Sequence, residues 1–234
     1  MAMAASTLLE RNRLFRGLPG GTIAQIANLS VRRQYPAGSI IFSQGDAGDA
    51  LYGVITGRVR ISASAPDGKE MFLNIMEPGD TFGEIALLDG NPRTAAASAM
   101  APSELLIIAR DPFLTLLQRE PQVAVHLLKL LCQRIRWTSG LAEDSALLSL
   151  PARLARRLLS LGKQHGHDTH EGLHLKISQE EIARFLGASR QVVNQYLQAW
   201  KANGWVSIGR AQLTIVDPKA LERTAEQSGG GGGG

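Results

Sequence analysis

Phe82-Gly83-Glu84-Ile85-Ala86-Leu87-Leu88-Asp89-Gly90-Asn91-Pro92-Arg93-Thr94-Ala95 is the stretch on which the reading of this chain turns. Its spacing fits a short turn that presents backbone amides, with Arg93 returning on the next strand. A phosphodiester monoanion is held by an arginine, preferably through two hydrogen bonds, together with amides and a hydroxyl. Arg93, Thr94 and the amides after Glu84 can supply all three. Glu84 can accept from a sugar hydroxyl. A plainer arrangement is equally open from these residues: Arg93 and Glu84 pair as buried ions on a β scaffold.

Around this stretch the chain has β texture. Residues 39–42, 50–55, 58–62, 70–76 and 104–109 read as strands. Gly45, Gly48, Gly57, Asp67-Gly68, Pro78-Gly79 and Gly83 stand between them. Short strands at near-regular spacing, cut by turn signals, predict a sandwich, roll or barrel. Asp67-Gly68 marks a hairpin. A short helix is expected over 21–29. A first domain therefore spans 14–120.

A long helix follows. Asp111-Pro112 reads as a helix start, with Asp as N-cap and Pro in the first position. A second start at Glu120-Pro121 leads into a helix over 121–148. Leu128, Leu131, Ile135, Thr138, Ala142 and Ser145 repeat at alternating spacings of three and four. That is a coiled-coil seam, and its small or polar members favour close helix approach. Packing within its own domain is the other use of such a helix; its length favours dimerisation. Cys132 lies beside the seam and reads as a packing residue.

The third texture spans 149–218. Ser149 can cap, Pro151 sits in the first turn, and 152–161 is a basic amphipathic helix. Residues 162–172 read as a loop and 173–177 as a strand. Ser178-Gln179-Glu180-Glu181 is a capping box. Helices over 179–186 and 190–203 follow, joined by Gly187-Ala188 and a second cap at Ser189. A small hairpin pairs 206–208 with 212–216. Val193, Tyr196, Leu197 and Trp200 face the core. Arg190, Gln191, Asn194 and Gln195 form one polar stripe near the helix start. Arginine can grip guanine through two bonds, and Gln or Asn can do the same for adenine. A solvated polar face has the same stripe; the two caps, the glycine turn and the hairpin favour a recognition helix in a major groove. Gln179, Ser189, Gln198 and Lys201 complete the expected DNA-facing set, with Arg184, Lys201 and Arg210 as candidate phosphate contacts.

Composition sets the outer limits. The chain has 234 residues, 44% of them hydrophobic, and a net charge of +4. Residues 1–143 carry 14 basic and 13 acidic residues, and residues 144–234 carry 11 and 8, so the excess lies in the last third. That side suits a polyanion. No apolar run approaches the roughly 18 residues of a membrane span. Met1–Leu9 lacks a basic start followed by an apolar stretch, so a secretory signal is not expected. One cysteine forms no intrachain disulfide, which fits a cytoplasmic setting. His165, His167, His170 and His174 crowd one segment without ligand spacing, so no metal is expected. No catalytic triad or paired carboxylates stand out. A nucleotide hydrolase using Glu84 as base is the weak enzymatic alternative, and the chain is read as a non-enzyme. Residues 219–234, ending in a glycine run, are expected to be a flexible tail.

Residues 82–95 resemble the phosphate-binding cassette of cyclic-nucleotide-binding domains. From Leu14 to Pro218 the chain resembles the superfamily of the cyclic-AMP receptor protein and the fumarate–nitrate regulator, above all its cyclic-AMP receptor branch. The resemblance implies an α+β chain: a jelly-roll β domain, a long dimerisation helix and a winged helix-turn-helix. It implies a homodimeric transcription regulator, with cyclic AMP or cyclic GMP as allosteric ligand and double-stranded DNA as partner. Gly83, Glu84, Ile85, Ala86, Arg93, Thr94 and Ala95 would then face the nucleotide. Arg134-Ile135-Arg136-Trp137-Thr138-Ser139 matches the family's long-helix motif. By that match Thr138 bonds the base in its own subunit, Ser139 reaches the base in the other, and Arg134 supports Glu84 or the sugar side. Thr169-His170 with Gly172 resembles the patch through which the family touches RNA polymerase.

The departures are specific. The family's recognition helix often reads Arg-Glu, then Arg four residues after the Glu. Here Arg190 is retained, while Gln191 and Gln195 stand at the other two positions. A palindrome that keeps the guanine of Arg190 but deviates at its inner positions is expected. A ligand-independent regulator and a cyclic-di-GMP sensor of the same fold are the alternatives.

Overall fold

Glycine-punctuated strands too short to stand alone pair into two four-stranded sheets, and these make the first of two units. The computed structural model describes residues 5–226. One sheet has the order β1 (Ser30–Tyr35), β8 (Ser103–Ala109), β3 (Ala50–Thr56), β6 (Thr81–Phe82). The other has the order β2 (Ile40–Phe42), β7 (Ala96–Ala99), β4 (Val59–Ser64), β5 (Glu70–Met76). Successive side chains of a strand point to opposite faces, and the cores follow that rule. Tyr52, Val54 and Leu105 meet Val59, Met76 and Ala97 between the sheets. Their neighbours Leu51 and Leu106 face the other way. There α1 (Ala5–Arg11), α2 (Gly20–Leu29), α3 (Glu84–Asp89), α4 (Arg110–Arg119) and the start of α5 (Pro121–Leu147) cover the first sheet, with Ile26, Leu87, Phe113 and Leu127 buried.

The second unit lies mainly from Arg136 onward. It contains α6 (Leu150–His165), α7 (Gln179–Leu186) and α8 (Arg190–Ala202). A sheet in the order β11 (Val206–Gly209), β12 (Gln212–Ile215), β10 (Gly172–Leu175), β9 (His167–Thr169) joins them, antiparallel throughout. The fold is thus the expected α+β combination of a β-sandwich, a long helix and a helix-turn-helix with its hairpin. Among the described residues no helix is long and apolar enough to cross a membrane.

Several local expectations need correction. The Asp-Pro cap is at the other Asp-Pro pair. At 111–112 the helix already starts at Arg110, with Ala109 in the cap position and Asp111 inside the first turn. At 217–218, immediately before the supposed tail, Asp217 Oδ1 accepts from the Ala220 amide at 3.0 Å. Pro218 opens α9 (Pro218–Glu226), whose Ala220, Leu221 and Ala225 are buried. The flexible tail expected over 219–234 is therefore helix as far as Glu226; residues 227–234 lie outside the described residues. Ser149 takes the N-cap position of α6 but makes no capping bond with its side chain.

The loop expected over 162–172 is also wrong. α6 continues to His165 and β9 follows. Gly162 is not a helix stop: a β-carbon there would meet Leu173 Cδ2 at 2.6 Å. The glycine lets strand β10 lie against the helix. β1, β6, β7 and α3 carry weak local signals. The Ala-Ala-Ser-Ala of β7 becomes a strand only by pairing with β2 and β4.

α9 packs its apolar stripe with Leu221 fully buried. Leu221→Ala should lower the stability of the second unit by about 3 kcal/mol, read as a shifted midpoint in urea unfolding followed by circular dichroism.

Candidate functional site

The turn at Gly83 is built around a buried guanidinium. Gly83 adopts the left-handed conformation, with φ 85° and ψ 10°, and caps α3 without a side chain. A β-carbon there would be strained by that φ and would meet Arg93 Nη1 at 2.9 Å. Arg93 Nη1 donates to the Gly83 carbonyl at 2.7 Å. Its Nη2 donates to the Ala50 carbonyl at 2.8 Å and to Asp49 Oδ1 at 3.2 Å. The guanidinium carbon stands 4.3 Å from the centroid of Phe42 and 5.6 Å from that of Tyr52. Burial first, and Asp49 second, raise the Tyr52 phenol above its usual range, so that ring stays neutral. The Arg93 side chain is 2% exposed. Its Nε has no hydrogen-bond partner among the described residues. A buried donor left unmet is costly, and an incoming anion would satisfy it.

Of the two arrangements open in the sequence, the Arg93–Glu84 pair does not form. Arg93 takes Asp49, and Glu84 takes another arginine. Arg134 Nε lies 3.5 Å from Glu84 Oε1, with the Glu84 side chain 5% exposed. Arg134 Nη2 also donates to the Thr81 carbonyl at 2.9 Å. Arg134 on α5 thus holds both Glu84 and the strand that precedes it. Asp49 was missed in the sequence; its only signal was an acidic residue in a glycine-rich turn. The first amides of α3 have no acceptor within the helix, and Gly83 has no side chain to offer them. Ile85 and Thr94 are exposed, and Ala86 and Ala95 are buried. Thr138 and Ser139 are exposed on α5 about one turn beyond Arg134. Among the described residues no group of three or more His, Cys, Asp or Glu is placed to hold a metal ion.

In the second unit the capping box closes as read. Ser178 Oγ accepts from the Glu181 amide at 3.2 Å, and Glu181 Oε2 accepts from the Ser178 amide at 2.7 Å. Gly187 turns the chain in the left-handed region, with φ 62°. Ser189 Oγ then accepts from the Val192 amide at 3.3 Å, so this hydroxyl is committed to capping. Val193, Leu197 and Trp200 are buried. Arg190, Gln191, Gln195, Gln198 and Lys201 are exposed, and Gln179 and Asn194 half-buried. Gln198 Nε2 donates to Asn194 Oδ1 at 3.2 Å. That bond, an i,i+4 pair, uses one of the two lone pairs of the Asn194 carbonyl oxygen.

Comparison with known proteins adds the following. Residues 32–120 match the cyclic nucleotide-binding domain family, and residues 152–224 match the Crp-like helix-turn-helix domain. The chain is 34% identical over 222 residues to the CRP-like cAMP-activated global transcriptional regulator of Mycobacterium tuberculosis, covering 93% of this chain and 98% of that protein. It is 35% identical over 217 residues to the cyclic AMP receptor protein of Thermus thermophilus, with the same coverage of each. The solved structure of CLP, a c-di-GMP-responsive global regulator of Xanthomonas campestris, superposes with a TM-score of 0.75 at 27% identity. That match covers 84% of this chain and 99% of the other.

Both oxygens of the capping box are engaged, so Ser178→Ala removes the acceptor for one first-turn amide. It should cost about 1 kcal/mol of stability, measured by denaturant unfolding, with α8 intact by circular dichroism.

Proposed function

We propose a function from one premise: the chain belongs to the cyclic AMP receptor protein family of transcription regulators. It is a cyclic-nucleotide-binding, DNA-binding regulator and not an enzyme. Beyond that premise, it acts as a homodimer switched by a cyclic mononucleotide, with cyclic AMP ahead of cyclic GMP. The observation that carries this reading is the Gly83 turn. It holds a buried arginine with an unmet donor, uncapped amides and a buried carboxylate within one short segment. A cyclic nucleotide has the matching chemistry: one phosphodiester anion for Arg93 and the amides, and one ribose hydroxyl for Glu84.

Gly83, Glu84, Ile85, Ala86, Arg93, Thr94 and Ala95 form the phosphate and ribose side. Arg134 holds Glu84 in place. Thr138 takes the base, and Ser139 takes the base of the nucleotide bound by a second copy. Leu128 and Ile135 on the expected seam are 60% and 65% exposed in the single chain, a state that pairing with a second copy relieves. Gln179, Arg190, Gln191, Asn194, Gln195, Gln198 and Lys201 face DNA, and Ser189 caps the helix that carries most of them. The loop at Thr169-His170 is a candidate contact for RNA polymerase. A ligand shifts the equilibrium only by binding one dimer state more tightly than the other.

Isothermal titration with cyclic AMP, cyclic GMP and cyclic-di-GMP tests the ligand. Binding of cyclic AMP at a stoichiometry of one per chain is expected. Binding of none of the three would leave a ligand-independent regulator, and selective binding of cyclic-di-GMP would move the chain toward the behaviour of CLP. Thr138→Ala should weaken cyclic AMP about tenfold, the worth of one buried hydrogen bond, with nonspecific DNA affinity unchanged. Selection of DNA from a random pool should return a palindrome that keeps a guanine for Arg190 and departs from the receptor consensus at the positions of Gln191 and Gln195. Strong preference for the unaltered consensus would contradict the role given to those two side chains. Arg190→Ala should lose about 1–3 kcal/mol of operator binding and relax that guanine.

A further inference from the structure

A second buried guanidinium, Arg157 on α6, has no place in the site described above. Arg157 is 8% exposed, and its Nη1 has no hydrogen-bond partner among the described residues. The acidic residue whose charge acts on it, Asp144, has its carboxylate in contact with Arg156. What surrounds the charge is aromatic. Its guanidinium carbon lies 5.1 Å from the Trp137 ring centroid and 5.2 Å from that of Phe185. Trp137 is on α5, immediately before Thr138. Phe185 is on α7, the first helix of the helix-turn-helix. One turn earlier on α6, Arg153 Nη2 donates to the Leu186 carbonyl at 2.8 Å, at the last residue of α7.

Stability does not account for an arginine here. Burial is the main cause that lowers its pKa, to about 10; Asp144 opposes that and Arg153 adds to it. The folded value lies below the unfolded one. Between the two the unfolded state binds more protons, so stability rises with pH through that window. At neutral pH the buried charge therefore costs stability. An apolar side chain of similar volume would fill the same space at least as well. Attraction between a cation and a ring face depends on distance and on which face is presented. A rotation of α5 that moves Trp137 changes this energy. The sandwich thus has a different free energy in each orientation of α5 relative to α6 and α7, which is what a coupling element requires.

We infer that Arg157 is a positioning residue that transmits the state of the Trp137-Thr138-Ser139 segment to the helix-turn-helix, through its aromatic sandwich between Trp137 and Phe185. The inference rests on the reading of Thr138 as a ligand contact. The test uses the full chain, with wild type, Arg157→Met, Arg157→Lys and Trp137→Leu. Fluorescence anisotropy measures affinity for operator DNA with and without saturating cyclic AMP, and titration measures cyclic AMP affinity. Arg157→Met should fold with an unchanged or raised melting temperature and keep its ligand-free, nonspecific DNA affinity. The stimulation of operator binding by cyclic AMP should fall at least fivefold. Arg157→Lys should restore part of it, because the charge between the rings returns. If Arg157→Met does not fold, Trp137→Leu opens one side of the sandwich and should show the same loss. Full stimulation in either folded variant overturns the inference while leaving the function intact. A wild type that cyclic AMP does not stimulate overturns both.

Discussion

The ligand-facing unit depends on one buried cation given to backbone oxygen. Arg93 donates to the carbonyls of Gly83 and Ala50, which lie on separate segments of the unit, and rests on the faces of Phe42 and Tyr52. A guanidinium removed from water needs its donors met. Two carbonyls and Asp49 meet most of them, and the donor left over is the chemical invitation to an anion. The same bonds fix the left-handed Gly83 turn. That turn aims the first amides of α3 and places Glu84 within reach of Arg134. Remove the arginine, and both the geometry of the turn and its affinity for negative charge go together.

Arginine is used differently in the two units. Arg93 and Arg134 act by hydrogen bonds to carbonyls and carboxylates, which hold a shape. Among the described residues Arg157 shows no bonded carboxylate, and it lies over the rings of Trp137 and Phe185. Its energy is lower in directional bonding and more sensitive to where the rings stand. A unit that must present a fixed pocket benefits from the first kind of contact. A contact whose energy follows the position of two rings suits the coupling role proposed for Arg157. The i,i+4 bond between Gln198 and Asn194 adds a local constraint of its own, since it orders two polar side chains of α8 relative to each other.

Much was legible in order along the chain. The capping box, the glycine turn and the second cap of the helix-turn-helix are local devices, and each formed where its residues stand. The cassette motif singled out Arg93 and Glu84, and the structure buries both. What it left open was their partners. The motif holds no information about Asp49, which precedes Arg93 by 44 residues, or about the choice of Arg134 for Glu84. Identical local signals also led to different outcomes. Asp-Pro caps a helix at 217–218, where Leu221 and Ala225 have a core to enter. At 111–112 the helix begins before the aspartate instead.

The sequence by itself therefore determined the class of fold, the family and the local devices of the helix-turn-helix, because caps, turns and hydrophobic period act over a few residues. Tertiary structure alone decided which ions pair, that β7 is a strand, that Gly162 is a point of close packing, and that α9 is helix rather than tail. Each of those depends on what a distant segment places alongside, and on whether burial there leaves a polar group satisfied.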